Sequence, residues 1–172
     1  MNNKLQKYKH MKIDNKDVYY KIRGQLIVVV FITATLITLS LFYSIFTDYF
    51  IPINKVAYAC IFGGLLILFI IYRTFLKYHY IIYDDESDKI ILRYYPVTSL
   101  TPKHLSIEIP YNTLYKIEIK KKFFNQRDEL IIYQIVNKGV AKYKPIPLTA
   151  LSKKEKKDLI NALNFFAKIK MQ

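Results

Sequence analysis

LIVVVFITATLITLSLFYSIF, residues 26–46, runs for 21 positions without a charged side chain. At about 1.5 Å per residue, a helix of that length covers the ~30 Å hydrocarbon core of a bilayer. A second run, VAYACIFGGLLILFIIY at 56–72, adds 17 uncharged residues. Ile51, Ile53, Phe75 and Leu76 extend its apolar reach, and Lys55 and Arg73 are long enough to snorkel to the headgroups. A buried helix of a soluble core normally keeps a polar stripe, and neither run has one. The sequence therefore predicts two transmembrane helices, about 26–46 and 54–76, forming a hairpin within 25–77. A cleaved signal peptide is the competing reading of the first run. Its apolar core is too long for one, and Phe42-Tyr43-Ser44-Ile45-Phe46 is bulky where cleavage needs small residues.

Outside the hairpin the chain is basic. The 172 residues carry a formal net charge of +14, which points to phosphate-bearing partners. Anionic lipid headgroups are the simpler choice, because a chain that crosses a bilayer already lies beside them. Residues 1–24 hold seven Lys and Arg, the connecting segment 47–55 only Lys55, and the chain from Arg73 onward nineteen. This asymmetry places both termini in the cytoplasm and the short connection outside, as expected of a multi-pass protein of the cytoplasmic membrane. The connection, TDYFIPINK, carries Tyr49 and Phe50 for the interface and Pro52 to stop the helix. With no Trp and 16 Tyr, tyrosine must serve as the interfacial aromatic. Cys60 is the one cysteine, so an intramolecular disulfide and a Cys-based metal cluster are both excluded.

Small residues punctuate the helices. Ala59 and Gly63, and Cys60 and Gly64, stand four apart on the second, a spacing that lets backbones approach closely. Thr33, Thr35, Thr38, Ser40 and Ser44 mark the first. Packing within the hairpin is the expected use of Ala59, Gly63 and Gly64; an oligomer face or pore lining is the alternative. No ionisable residue lies mid-span to relay protons or ions.

Beyond residue 78 the hydrophobic period changes to two. Tyr80 and Ile82, then Lys89–Tyr95, read as a hairpin around an acidic turn, Asp84-Asp85-Glu86-Ser87-Asp88. Residues 96–103 read as a loop. Leu105, Ile107 and Ile109 alternate with Ser106 and Glu108; Tyr115, Ile117 and Ile119 alternate with Lys116, Glu118 and Lys120. Both patterns predict half-buried strands. Glu129–Val136 is a more continuous apolar run and so a better-buried strand. Asn137-Lys138-Gly139 is a turn, and Val140–Leu148 a last strand whose Pro145 and Pro147 confine its end to an edge. A helix at about 152–168 closes the chain. Ser152 and Glu155 form a capping box, and Leu159, Leu163 and Phe166 share a face, with Ile160, Ala162 and Ile169 beside them. Lys153, Lys154, Lys156 and Lys157 sit at its start, where cations oppose the helix dipole. They form either a solvated face or an attraction for anionic headgroups.

The order of elements, and the wording of Ile107-Glu108-Ile109-Pro110-Tyr111-Asn112-Thr113-Leu114 leading into Tyr115–Lys120, resemble the bacterial pleckstrin-homology-like (PH-like) domains that follow a pair of transmembrane helices. Pro145-Ile146-Pro147-Leu148 before the last helix is similar too. The likeness covers about residues 73–170. It departs at Lys120-Lys121-Lys122-Phe123-Phe124-Asn125-Gln126-Arg127, which is basic and Gly-free where the family commonly has a Gly-containing turn. The resemblance implies that 78–172 is a bent antiparallel sheet or barrel of about six or seven strands capped by a helix. It implies no enzyme activity.

The residues agree with that last expectation. His10, His79 and His104 are scattered, and the chain's four Gly form no phosphate-binding or nucleophile motif. Asp84, Asp85, Glu86 and Asp88 lack calcium-loop spacing. No cofactor or metal is expected, and no nucleic acid, since no aromatic-basic RNA motif is present. The expected role is a membrane-anchored, non-catalytic binding or scaffolding module that meets a protein partner or a second copy beside an anionic membrane. Lys120, Lys121, Lys122 and Arg127, with Lys153, Lys154, Lys156 and Lys157, are its candidate surface contacts. An oligomeric pore or transport component built from the hairpin is the alternative.

Overall fold

A computed structural model describes residues 10–42, 54–87, 89–97, 104–137 and 139–169, with backbone only at 86, 87, 168 and 169. Ser44, the connection at 47–53 with Tyr49, Phe50 and Pro52, Asp88, the loop residues 98–103 and Lys138 lie outside the described residues. The chain forms two compact units. One joins the residues up to Tyr19 with those from Leu76 onward; the other spans Tyr20–Phe75.

The second unit is helical. Helix α1 spans Lys16–Phe42 and helix α2 spans Lys55–Leu76. Both are long and apolar enough to cross a membrane. Only 6% of the most apolar window of α1 and 11% of that of α2 is buried. Phe31, Phe42, Leu68 and Ile67 present more than half of their surface. The hydroxyls of Thr33, Thr35, Thr38 and Thr74 donate to the carbonyl four residues back, and that of Ser40 three back, at 2.8–3.0 Å. These polar groups are satisfied inside their own helix, as a hydrocarbon surrounding would require. Arg73 Nη2 donates to Gln25 Oε1 at 3.0 Å, and its guanidinium stands 5.2 Å from the Phe69 ring centre. α1 starts ten residues before the apolar run. The Asp14 carboxylate accepts the Lys16 N–H at 3.0 Å, which caps a polar first turn that hydrophobicity alone does not mark. Lys77, at φ +49°, supplies the left-handed residue that ends α2.

The other unit is mainly β: two antiparallel sheets and a C-terminal helix. Strands β1 (Lys12–Asp14), β2 (His79–Ser87), β3 (Lys89–Pro96) and β4 (Leu105–Pro110) form the first sheet in that order. A single 3-10 turn, Tyr111–Thr113, leads into β5 (Leu114–Lys122), which pairs with β6 (Arg127–Val136). The chain then returns along β6 as β7 (Gly139–Lys142) and β8 (Ile146–Pro147). The expected single strand is split. Five residues, Lys142 to Ile146, lie opposite four of β6, Tyr133 to Leu130, around Pro145, which has no N–H to give the ladder. Gly139, at φ +130°, makes the tight return that a side chain would strain.

One core joins both sheets and the last helix. Ile81, Tyr83, Ile90, Leu92 and Ile109 from the first sheet meet Leu114, Leu130, Ile132 and Ile146 from the second. Helix α3 (Lys153–Ile169) closes it with Leu159, Ala162, Leu163 and Phe166. Burial of each large side chain stabilises by ~1.5–3 kcal/mol. The capping box forms as the sequence predicts: Ser152 N–H donates to Glu155 Oε2 at 2.8 Å, and Glu155 N–H to Ser152 Oγ at 3.2 Å.

Other sequence expectations change as well. The acidic run is not a solvated turn: β2 continues through Asp84 and Asp85, and Asp85 is wholly buried. Its carboxylate accepts the Met11 N–H at 2.6 Å and the Tyr83 hydroxyl at 2.9 Å, and His10 Nδ1 lies 3.5 Å away. These groups offset the cost of burying the carboxyl group. In β2 the residues turned into the core are Ile81, Tyr83 and Asp85; Tyr80 is buried but outside that core cluster, and Ile82 is only half-buried. In β5 a register shift between Leu114 and Lys116 turns Leu114 inward and leaves Tyr115 exposed; Leu105 at the start of β4 is exposed too.

Candidate functional site

The basic residues singled out by the sequence come from two places about 30 positions apart, and the fold brings them together. Lys122 pairs with Arg127 as the innermost residues of the β5–β6 hairpin, and Lys121 lies opposite Asp128. Asp128 Oδ2 accepts Lys156 Nζ from the first turns of α3 at 2.5 Å, and its backbone carbonyl accepts the Leu148 N–H at 2.8 Å. The start of β6 thus holds the start of α3. Asp128, Lys153, Lys156, Lys157, Ile160 and Asn161 line a shallow depression there.

Within this basic end the cations divide into two classes. Arg127 Nη2 meets Glu129 Oε1 at 2.9 Å, and both side chains are nearly buried. Lys156 is held by Asp128, and Lys120 Nζ lies 3.4 Å from Glu118 Oε1. Arg127 and Lys156 are therefore ion-pair partners inside the fold more than outward contacts. Lys121, Lys122, Lys153, Lys154 and Lys157 are exposed, and among the described residues no acid holds them. At ~1 kcal/mol per lysine near an anionic surface, these five offer at most about 5 kcal/mol of attraction, screened by salt.

The adjoining outer face of the second sheet is a mixed polar patch. The Tyr133 hydroxyl donates to Glu118 Oε2 at 2.9 Å, and Lys116 and Lys142 lie 4.7 and 5.9 Å from the Tyr133 ring centre. The Tyr133 hydrogen bond, aided by Lys120, holds the Glu118 carboxyl below its usual range; the same bond raises the Tyr133 phenol. On the first sheet, a hydrogen bond from Lys89 lowers Glu108. The two carboxyl shifts stabilise charges already present, and the phenol shift keeps Tyr133 neutral. They do not poise a group near neutrality for proton transfer.

Ala59, Gly63 and Gly64 are half-buried on α2. A Cβ built on Gly63 or Gly64 would meet no atom within 4 Å. Among the described residues, no close backbone approach is made at these two glycines. Among the described residues no group of three or more His, Cys, Asp or Glu is placed to hold a metal.

Sequence reasoning missed the β1–β2 junction. Asn15 is buried at 1% exposure: its Oδ1 accepts the Ile81 N–H at 2.8 Å, and its Nδ2 donates to the His79 carbonyl at 3.2 Å. A lone Asn between two charged residues carries no periodic signal that could have revealed it. Comparison of the chain with protein-family models, with curated proteins and with solved structures finds no match.

Proposed function

We propose that this protein is a membrane-anchored, non-catalytic binding module. α1 and α2 cross the cytoplasmic membrane as a hairpin with both termini inside, and a PH-like β unit works beside the cytoplasmic leaflet. The observation that carries this reading is the exposure of both apolar helices: a soluble protein would bury faces of that size, and these lie open. Internal satisfaction of their hydroxyls supports it further. The five outward lysines supply attraction to anionic headgroups, leaving the rest of the β unit for a protein partner or a second copy. In membranes washed with alkaline carbonate, the full-length chain should stay in the pellet and leave only with detergent. Recovery in the aqueous fraction would overturn the reading. Crosslinking in native membranes then separates recruitment of another protein from self-association.

A further inference from the structure

The β5–β6 turn is built at a cost that the fold does not explain. It is closed by the Gln126 N–H donating to the Phe123 carbonyl at 3.0 Å. Phe123, Phe124 and Asn125 all have positive φ: +49°, +51° and +64°. Asn tolerates that region, but each bulky residue in it costs about 1–2 kcal/mol, and Asn-Gly or Asp-Gly is what such hairpins prefer. Phe124 is 91% exposed, so it also forgoes the ~1.5–3 kcal/mol that burying a Phe side chain would contribute. Among the described residues its ring is paired with that of Phe123, edge to face, with centres 5.8 Å apart. Both sacrifices set one aromatic ring at the tip of a hairpin whose last strand residues include the exposed Lys121 and Lys122.

We propose that this tip is a lipid-inserting wedge: Phe124 enters the boundary between headgroups and acyl chains of an anionic bilayer while Lys121 and Lys122 contact the headgroup phosphates. The inference rests on the membrane-proximal reading above and adds a depth and a residue to it. Phe124 lies two residues past Lys122, so its Cα stands at most ~7 Å beyond that of Lys122. Amphipathic segments bury their apolar side by ~5–10 Å at that boundary, with cations at headgroup level. The chain's net charge of +14 and its two bilayer-length helices favour lipid over an acidic protein as the occupant.

The chain has no Trp, so Phe124→Trp gives a single-site reporter in the full-length protein. In nanodiscs containing anionic lipid, its emission should shift to the blue and fall about twofold or more when the acyl chains carry bromine. Lys121→Glu with Lys122→Glu should abolish both effects. Amide exchange at 120–127, measured in parallel, separates the two levels of the argument. Protection of these residues with an unquenched Trp overturns the wedge and leaves headgroup contact standing; no protection and no quenching overturns both. Equal quenching in neutral discs overturns the anionic requirement and with it the proposal. A blue shift without bromine quenching, seen only when a protein partner is added, would assign the tip to that partner and overturn the wedge.

Discussion

Replacing Asn15 with Ala should loosen the first sheet at a defined place. The side chain closes two hydrogen bonds that no neighbouring strand supplies, to the Ile81 N–H and to the His79 carbonyl. Only one amide orientation serves both, since one partner is a donor and the other an acceptor. Ile81 is fully buried, so its orphaned N–H costs about 1–3 kcal/mol; the part-buried His79 carbonyl adds about 1. A total of about 2–4 kcal/mol corresponds to about 30- to 700-fold faster local opening, at 1.4 kcal/mol per decade. Amide exchange of the full-length protein in detergent reads this directly. The Ile81 amide and the β1 amides should exchange faster by that factor, while α3 changes far less. Asn15→Asp keeps the acceptor for Ile81 but loses the donor to His79, and should fall between the two. Acceleration at Ile81 below about threefold would refute the assignment of Asn15 as the tie between β1 and β2.

Two further outcomes follow from the site's surroundings. Burial lowers the His79 pKa below its usual 6.5, opposed by the Lys77 carbonyl and aided by the Lys77 charge. The folded state then binds fewer protons than the unfolded one between those two pKa values. Stability is therefore complete above pH 6.5 and falls as pH drops below it; Glu108 and Glu118, lowered from 4.5, add their losses only under pH 4.5. Thermal unfolding monitored through the tyrosines should show the upper slope, and His79→Gln should remove it. Ser152→Ala deletes half of the capping box and should cost about 1 kcal/mol, read as faster exchange in the first turn of α3 with the core untouched.

The legible parts of this chain were those where one local rule acts without competition. Both apolar helices follow from length and lack of charge, and α3 follows from a capping box ahead of a 3.6-residue pattern. β4 follows from Ile107 and Ile109 alternating with polar neighbours. Where local patterns were absent or ambiguous, the outcome was decided at long range. Tyr80–Tyr83 is apolar at every position, so alternation could not choose a face; the pairing with β1 and β3 did. Asp85 looked like turn chemistry because its partners, Met11 and His10, stand about 75 residues away. Lys-Ile-Asp at 12–14 is too short to show any period, yet it is a strand. The basic candidates were found as a class, but their division was hidden. Arg127 and Lys156 are neutralised by Glu129 and Asp128, and nothing in the lysine runs distinguishes Lys156 from Lys157.

The pairing of β1 with β2 also dictates how this protein can be cut. A piece beginning at residue 78 discards Lys12–Asp14 and Asn15, and so strips the outer edge from Ile82, Tyr83 and Asp84. That bared ribbon is a template on which another chain will add itself. A water-soluble version should instead carry residues 10–15 back in, joined ahead of residue 77 by a short flexible tether that replaces both greasy rods.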